Sequence, residues 1–156
     1  MPQNRGTIPD YLGHKPLYHV ADYELLDQPF YPDTDARGLS IGLAQWDNSR
    51  IGVKVWRHTG NRWSRQSEEM PPHRAVDLTL LYCLTWLALA RGRLPVTVAS
   101  HGSFRLTAQL TTSNPDERDL RFWVLERHLE KEGEYMRERL NALADVLADM
   151  KAAGLI

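Results

Sequence analysis

Only one cysteine occurs in the 156 residues, Cys83, so no disulfide can close within the chain and a disulfide-stapled scaffold is excluded. Long apolar runs are missing too. The longest, Leu78 to Ala90, falls short of the roughly 20 residues of a membrane span, and the opening MPQNRGTIPDY has no apolar core like that of a secretory leader. A cytoplasmic, reducing setting is therefore expected. The histidines, His14, His19, His58, His73, His101 and His128, form no H-x-x-x-H pair and no zinc-finger spacing, so neither a metal nor another cofactor is expected. Internal repeats and low-complexity tracts are also absent. Net charge is only −1 and the pI is near 6.6, whereas general nucleic-acid-binding domains usually lie above about 9.

What remains is an ordinary globular make-up, 42% apolar and 25% charged, long enough for one domain over 1–156. A chain of this size buries about 68–70% of its unfolded surface without needing staples. Its charges are segregated. Three cations against seven anions give −4 over residues 1–49, and six against two give +4 over 50–74. Three against one give +2 over 75–112, and seven against ten give −3 over 113–156. Two explanations stand: the basic segment packs on acidic neighbours, or it forms a basic patch for a ligand.

Proline and glycine cluster in the first 38 residues, which predicts a largely irregular segment 1–37, with a short edge strand or a helical turn around Tyr18–Val20. GLSIGLAQW (38–46) reads as a strand and DNSR as a turn. Ile51, Val53 and Val55 then alternate with Gly52, Lys54 and Trp56, the period of a half-buried strand, and HTGN returns the chain into a second strand over 62–67. A buried helix is predicted over about 72–90, with a proline at its first position and Arg91-Gly92 at its end. Two strands joined by HGS follow, giving a hairpin within 95–112. Asn114 as N-cap, Pro115, Asp116 and Glu117 start a C-terminal helix or helical pair over about 115–151, with a break expected at Gly133. The fold class is α+β with a mainly antiparallel sheet.

Met136, Leu140, Leu143, Leu147 and Met150 recur at 4,3,4,3 spacing, a narrow seam for another helix. Two heptads are too few for an independent coiled coil, so the seam is read either as internal packing or as a homodimer contact. Gly38-Leu39-Ser40-Ile41-Gly42 matches the G-x-S-x-G nucleophile elbow. That motif needs a strand before the serine and a helix after it, whereas LAQW continues strand-like; the glycines read better as points where another backbone approaches closely.

The densest polar chemistry lies in VKVWRHTGNRWSRQSEEMPPHR, residues 53–74. A two-residue Thr59-Gly60 loop would set Trp56 opposite Trp63 and Lys54 opposite Arg65, placing two indoles and flanking cations on one face. Such platforms stack bases and hold phosphates. The alternative is that the tryptophans are core and the cations snorkel to water. Arg65, His73 and Arg74 run into the helix start, where free N–H groups favour an anion. TDARGLSIGLAQW together with VKVWRHTGNRWSRQSEEMPPHRAVDL resembles an uncharacterised family of small bacterial proteins of unknown function, matched over about residues 34–78. The resemblance implies a bacterial or phage cytosolic protein and transfers no activity.

The leading expectation is a binding module for an anionic ligand, nucleic acid or a nucleotide, using Lys54, Trp56, Arg57, His58, Arg62, Trp63, Arg65, His73 and Arg74. An alternative is a small enzyme on a phosphorylated or nucleotide substrate, with His58 or His73 as acid/base, Glu68 or Glu69 as its partner, and Arg62 or Arg65 stabilising negative charge. The third is a protein-interaction or dimerisation module built on the Met136–Met150 seam.

Overall fold

The computed structural model describes residues 8–27, 30–64 and 72–156. Five antiparallel strands form one sheet: β1 (Lys15–Val20), β2 (Ala36–Ala44), β3 (Asp47–Arg57), β4 (Val96–His101) and β5 (Phe104–Leu110), in the order β3-β2-β1-β5-β4. Two helices pack on it, α1 (Pro72–Ala90) and α2 (Pro115–Ala152). The α+β class and the antiparallel sheet are as expected.

Alternation builds the sheet. In β2, Leu39 and Ile41 enter the main core with Val55 of β3, Leu81 and Leu84 of α1, and Phe122 and Leu125 of α2. Tyr18 of β1 ties the layers: its ring meets Phe122 edge-on at 6.0 Å, and its hydroxyl donates to the Leu94 carbonyl at 2.7 Å. Alternating with Leu39 and Ile41, Gly38 and Gly42 leave room for close neighbours, the Ile8 side chain and Val20 carbonyl at Gly38 and the β1 backbone at Gly42. A Cβ on Gly42 would collide with the Lys15 carbonyl oxygen and come within 2.7 Å of the Pro16 Cα, at the point where the β1–β2 register shifts. The close approach read from the G-x-S-x-G match is therefore present.

Several boundaries differ from expectation. Lys15–Val20 is the central strand rather than an edge, because pairing with β5, some 90 residues later in the chain, leaves no local periodicity. The β2–β3 turn is Gln45–Trp46, and the polar DNSR segment belongs to β3, where all four residues are exposed on an edge strand. The strand expected over 62–67 is represented by one bridge, His58 to Trp63, with the Ser64 N–H donating to the Arg57 carbonyl; residues 65–67 lie outside the described residues. No break occurs at Gly133: α2 is one helix of 38 residues, about 57 Å long. One glycine weakens a helix by about 1 kcal/mol relative to alanine without ending it. A Cβ at Gly133 would meet nothing nearer than the Arg137 side chain at 3.7 Å. Gly133→Ala is expected to stabilise the fold by about 0.5–1 kcal/mol, read as a rise of about 2–4 °C in the thermal midpoint.

Asn114 caps α2 as the sequence indicates, its side chain accepting from the N–H groups of Asp116 (3.0 Å) and Glu117 (3.4 Å). Among the described residues, no helix is long and apolar enough to cross a membrane.

Candidate functional site

The first turns of α1 place His73, Arg74 and Asp77 together, since residues three and four apart share a helix face. They meet the segment between β1 and β2, where a short 3-10 turn (Tyr23–Leu25) leads into Asp27. Asp27 is fully buried, so its carboxylate needs partners. Arg74 supplies a two-pronged contact, Nε to Oδ1 at 3.0 Å and Nη2 to Oδ2 at 2.8 Å. His73 Nε2 lies 2.6 Å from Oδ1, and the Thr34 hydroxyl donates to Oδ2. Burial alone would raise the Asp27 pKa, but the hydrogen bonds from Arg74, Thr34 and His73 outweigh it and hold the carboxyl below its ordinary value. Because an ionised carboxylate only accepts, His73 must carry a hydrogen on Nε2. Next to this pair, the Tyr23 hydroxyl donates to Asp77 Oδ2 at 2.6 Å. Burial pushes the Asp77 carboxyl up, partly offset by that hydrogen bond.

Outside the buried network lies an open cleft of about 370 Å³, lined by Phe30, Asp33, Thr34, Asp35 and Arg74. That volume is within the range of small-molecule sites. The Phe30 ring is 45% exposed and stacks on the His73 imidazole with centroids 5.9 Å apart and planes 28° apart. His73 itself keeps 31% of its side chain in solvent. Together the cluster has one buried carboxylate orienting one half-exposed imidazole beside an exposed aromatic face. It can stack a planar group, offer carboxylate acceptors from Asp33 and Asp35, and move a proton at Nδ1 of His73.

Of the described residues singled out in the sequence, His73 and Arg74 belong to this cluster. Arg57 reaches its edge, pairing with Asp35 at 2.7 Å. The tryptophan platform does not form. Trp56 is completely buried, its indole N–H donating to the Ser40 hydroxyl at 2.7 Å, and so it presents no face to a base. The loop closes as Thr59–Arg62, with the Thr59 N–H donating to the Arg62 carbonyl, which makes His58 rather than Trp56 the partner of Trp63. Trp63 meets Trp56 edge-on at 5.8 Å, and Lys54 lies 4.2 Å over the Trp56 ring. His58 accepts from the Gly60 N–H at Nδ1 and packs against Trp63 at 5.0 Å. Arg62 is exposed on the loop. Arg65, Glu68 and Glu69 lie outside the described residues.

Ser40 is no nucleophile. It sits in mid-strand, buried, with its hydroxyl held between Trp56 and His14, whose Nε2 is 2.9 Å away. Among the described residues, no group of three or more His, Cys, Asp or Glu could hold a metal ion.

Asp27, Thr34, Asp77, Tyr23 and Phe30 escaped sequence reasoning. The one trace, and of Asp27 alone, was the acidic surplus of residues 1–49 beside the basic surplus of 50–74. The structure turns part of that segregation into internal pairs, Arg74 and His73 on Asp27 and Arg57 on Asp35. No curated protein and no solved structure matches the chain. A family model does match it across residues 7–152, and the chain therefore belongs to that family, described as a family of unknown function (DUF6530).

Proposed function

We propose that the protein binds a small planar ligand of the nucleoside or nucleotide class in the cleft at the start of α1, in a cytoplasmic, bacterial setting. One observation carries this reading: an exposed phenyl face, Phe30, is backed by an imidazole that buried Asp27 holds in place. Preorganised rings lose little entropy on binding, and base–aromatic stacking contributes about 1–3 kcal/mol. Charge favours a small ligand over a nucleic-acid strand. Among the described residues, the carboxylates of Asp27, Asp33 and Asp35 face two guanidiniums, Arg57 and Arg74, both already paired with aspartates. A polyanion would meet no net positive field there.

Isothermal titration with nucleosides and nucleoside monophosphates at low and high salt tests the proposal. Binding of one of them with weak salt dependence is expected, and Phe30→Ala should weaken it at least about 5-fold. Binding unaffected by Phe30→Ala, or binding only of long single strands with steep salt dependence, would contradict it.

A second reading, proton transfer on such a ligand, is favoured by the Asp27–His73 contact. With Nε2–H fixed on the carboxylate, Nδ1 is the atom left to accept a proton. Asp27 then has the partner role expected of Glu68 or Glu69. His73→Gln separates the two readings, leaving ligand affinity within a few-fold under simple binding and abolishing turnover under catalysis.

A further inference from the structure

The network around Asp27 uses only part of Arg74. Nε and Nη2 go to Asp27, and Nη2 also reaches Thr34 at 3.3 Å, while among the described residues no acceptor meets Nη1. The side chain is only 9% exposed and lines the cleft, so a buried guanidinium keeps an unmatched donor on the open volume, where leaving it bare is costly. The guanidinium carbon is 5.7 Å from the centre of the Phe30 ring, which sets this donor beside the aromatic face. Acceptors complete the lining. The Asp33 N–H donates to the Phe30 carbonyl at 2.9 Å, a turn that holds ring and carboxylate together, and among the described residues neither Asp33 carboxylate oxygen takes a hydrogen bond. Asp35 commits Oδ2 to Arg57, 2.9 Å from Nε and 2.7 Å from Nη2. The Thr34 hydroxyl is spent, donating to Asp27 and accepting from Arg74 and the Ala36 N–H. What faces a ligand is therefore one guanidinium nitrogen and one uncommitted carboxylate, both next to an aromatic ring.

We propose that this cleft selects guanine among the nucleoside bases, with Asp33 accepting from its N1–H and N2–H groups and Arg74 Nη1 donating to its O6. The inference rests on the nucleoside reading given above and names the base. Bases held by a protein are read through hydrogen bonds to their Watson–Crick edge. An ionised carboxylate only accepts, and its two oxygens match two donor atoms that stand side by side. Guanine is the one common base with such a pair, N1 and N2, and its O6 acceptor adjoins them. Adenine and cytosine carry a single amine on that edge, which leaves one carboxylate oxygen unmatched. Uracil fits worst, because its N–H is flanked by carbonyl oxygens that would meet a carboxylate acceptor to acceptor. A site whose buried polar groups are matched by one ligand rejects analogues that leave them unpaired.

Isothermal titration of the full chain with guanosine, inosine, adenosine, cytidine and uridine tests the selection. Guanosine should bind tightest. Inosine keeps O6 and N1–H but lacks the N2 amine, and should bind at least about 5-fold more weakly; uridine should bind at least about 50-fold more weakly. Asp33→Asn puts a donating amide in place of an acceptor at an exposed position. It should weaken guanosine at least about 10-fold and bring guanosine and inosine within about 2-fold of each other. Adenosine, cytidine or uridine binding as tightly as guanosine, and still weakened by Phe30→Ala, would overturn the choice of guanine while leaving the stacking site in place. A guanosine-to-inosine ratio unchanged in Asp33→Asn would remove Asp33 from base recognition and overturn the assignment. Binding of no nucleoside at all would bring down the planar-ligand reading and this inference with it.

Discussion

Asp27→Ala is expected to destabilise the protein by about 3–5 kcal/mol, several times the 0–1 kcal/mol typical of an exposed ion pair. The reason is what it leaves behind. Arg74 is buried, and its Nε and Nη2 groups would lose both oxygens of their partner. Thr34 would lose its acceptor and His73 its anchor. A buried charge without a partner costs more than the pair contributes, so removing both members should hurt less than removing one. Asp27→Leu combined with Arg74→Leu is therefore expected to recover part of the loss. Urea denaturation of the three chains measures this directly. A cost below about 1 kcal/mol for Asp27→Ala would mean that the network is not the structural base of the cleft. The pH dependence has a definite sign. Because the folded-state pKa of Asp27 is depressed, its stabilisation is present above the unfolded value and is lost as pH falls through the folded one. Asp77, with a raised pKa, acts in the opposite direction, lowering stability as pH rises through its range.

Acid sensitivity at milder pH should come from His14. Burial, followed by the positive charges of Lys54 and Arg121, lowers its pKa from 6.5 to about 4. The folded ring therefore stays neutral, bonded to Ser40, while the unfolded chain takes up a proton. Stability is full above about pH 6.5 and falls as pH drops toward about 4, a span equivalent to roughly 3 kcal/mol. Burial lowers the pKa of His19 and His128 in the same direction. His14→Gln isolates the single contribution. Between pH 7 and about pH 4.5, wild type is expected to lose about 2–3 kcal/mol more than the variant in urea titrations. Parallel losses in the two chains would show that His14 is not the titrating group.

The elements that could be read from the sequence are those with strong local signals. The helix at 72–90 follows from a proline start and a continuous apolar run, and the hairpin within 95–112 from alternation around a glycine turn. Asn114 announces itself as a cap because Pro115 and two acids follow. Pairing order is different, since the centrality of Lys15–Val20 depends on β5, which is remote in sequence. Loop length set the partner of Trp63: a four-residue Thr59–Arg62 loop replaces a two-residue one, a shift of two that pairs Trp63 with His58 and keeps it in contact with Trp56. Burial of Trp56 comes from the other side of β3, where it pairs with Gly38 of β2 and its indole reaches the buried Ser40. At the cleft, His73 and Arg74 were legible as polar residues at a helix start. Their partner Asp27 lies 46 and 47 residues earlier, in a segment without periodicity, and no local pattern joins them.

Nitrogen-detected NMR of the His73 imidazole, recorded during titration with nucleosides and nucleoside monophosphates, asks whether the cleft at the start of α1 is where ligand binds. The expected result is a ring hydrogen on Nε2 in the free protein and a shift at Nδ1 when ligand binds, with the Trp63 indole little changed. A hydrogen on Nδ1 with Nε2 bare, or a titration that moves Trp63 and leaves His73 untouched, would contradict it.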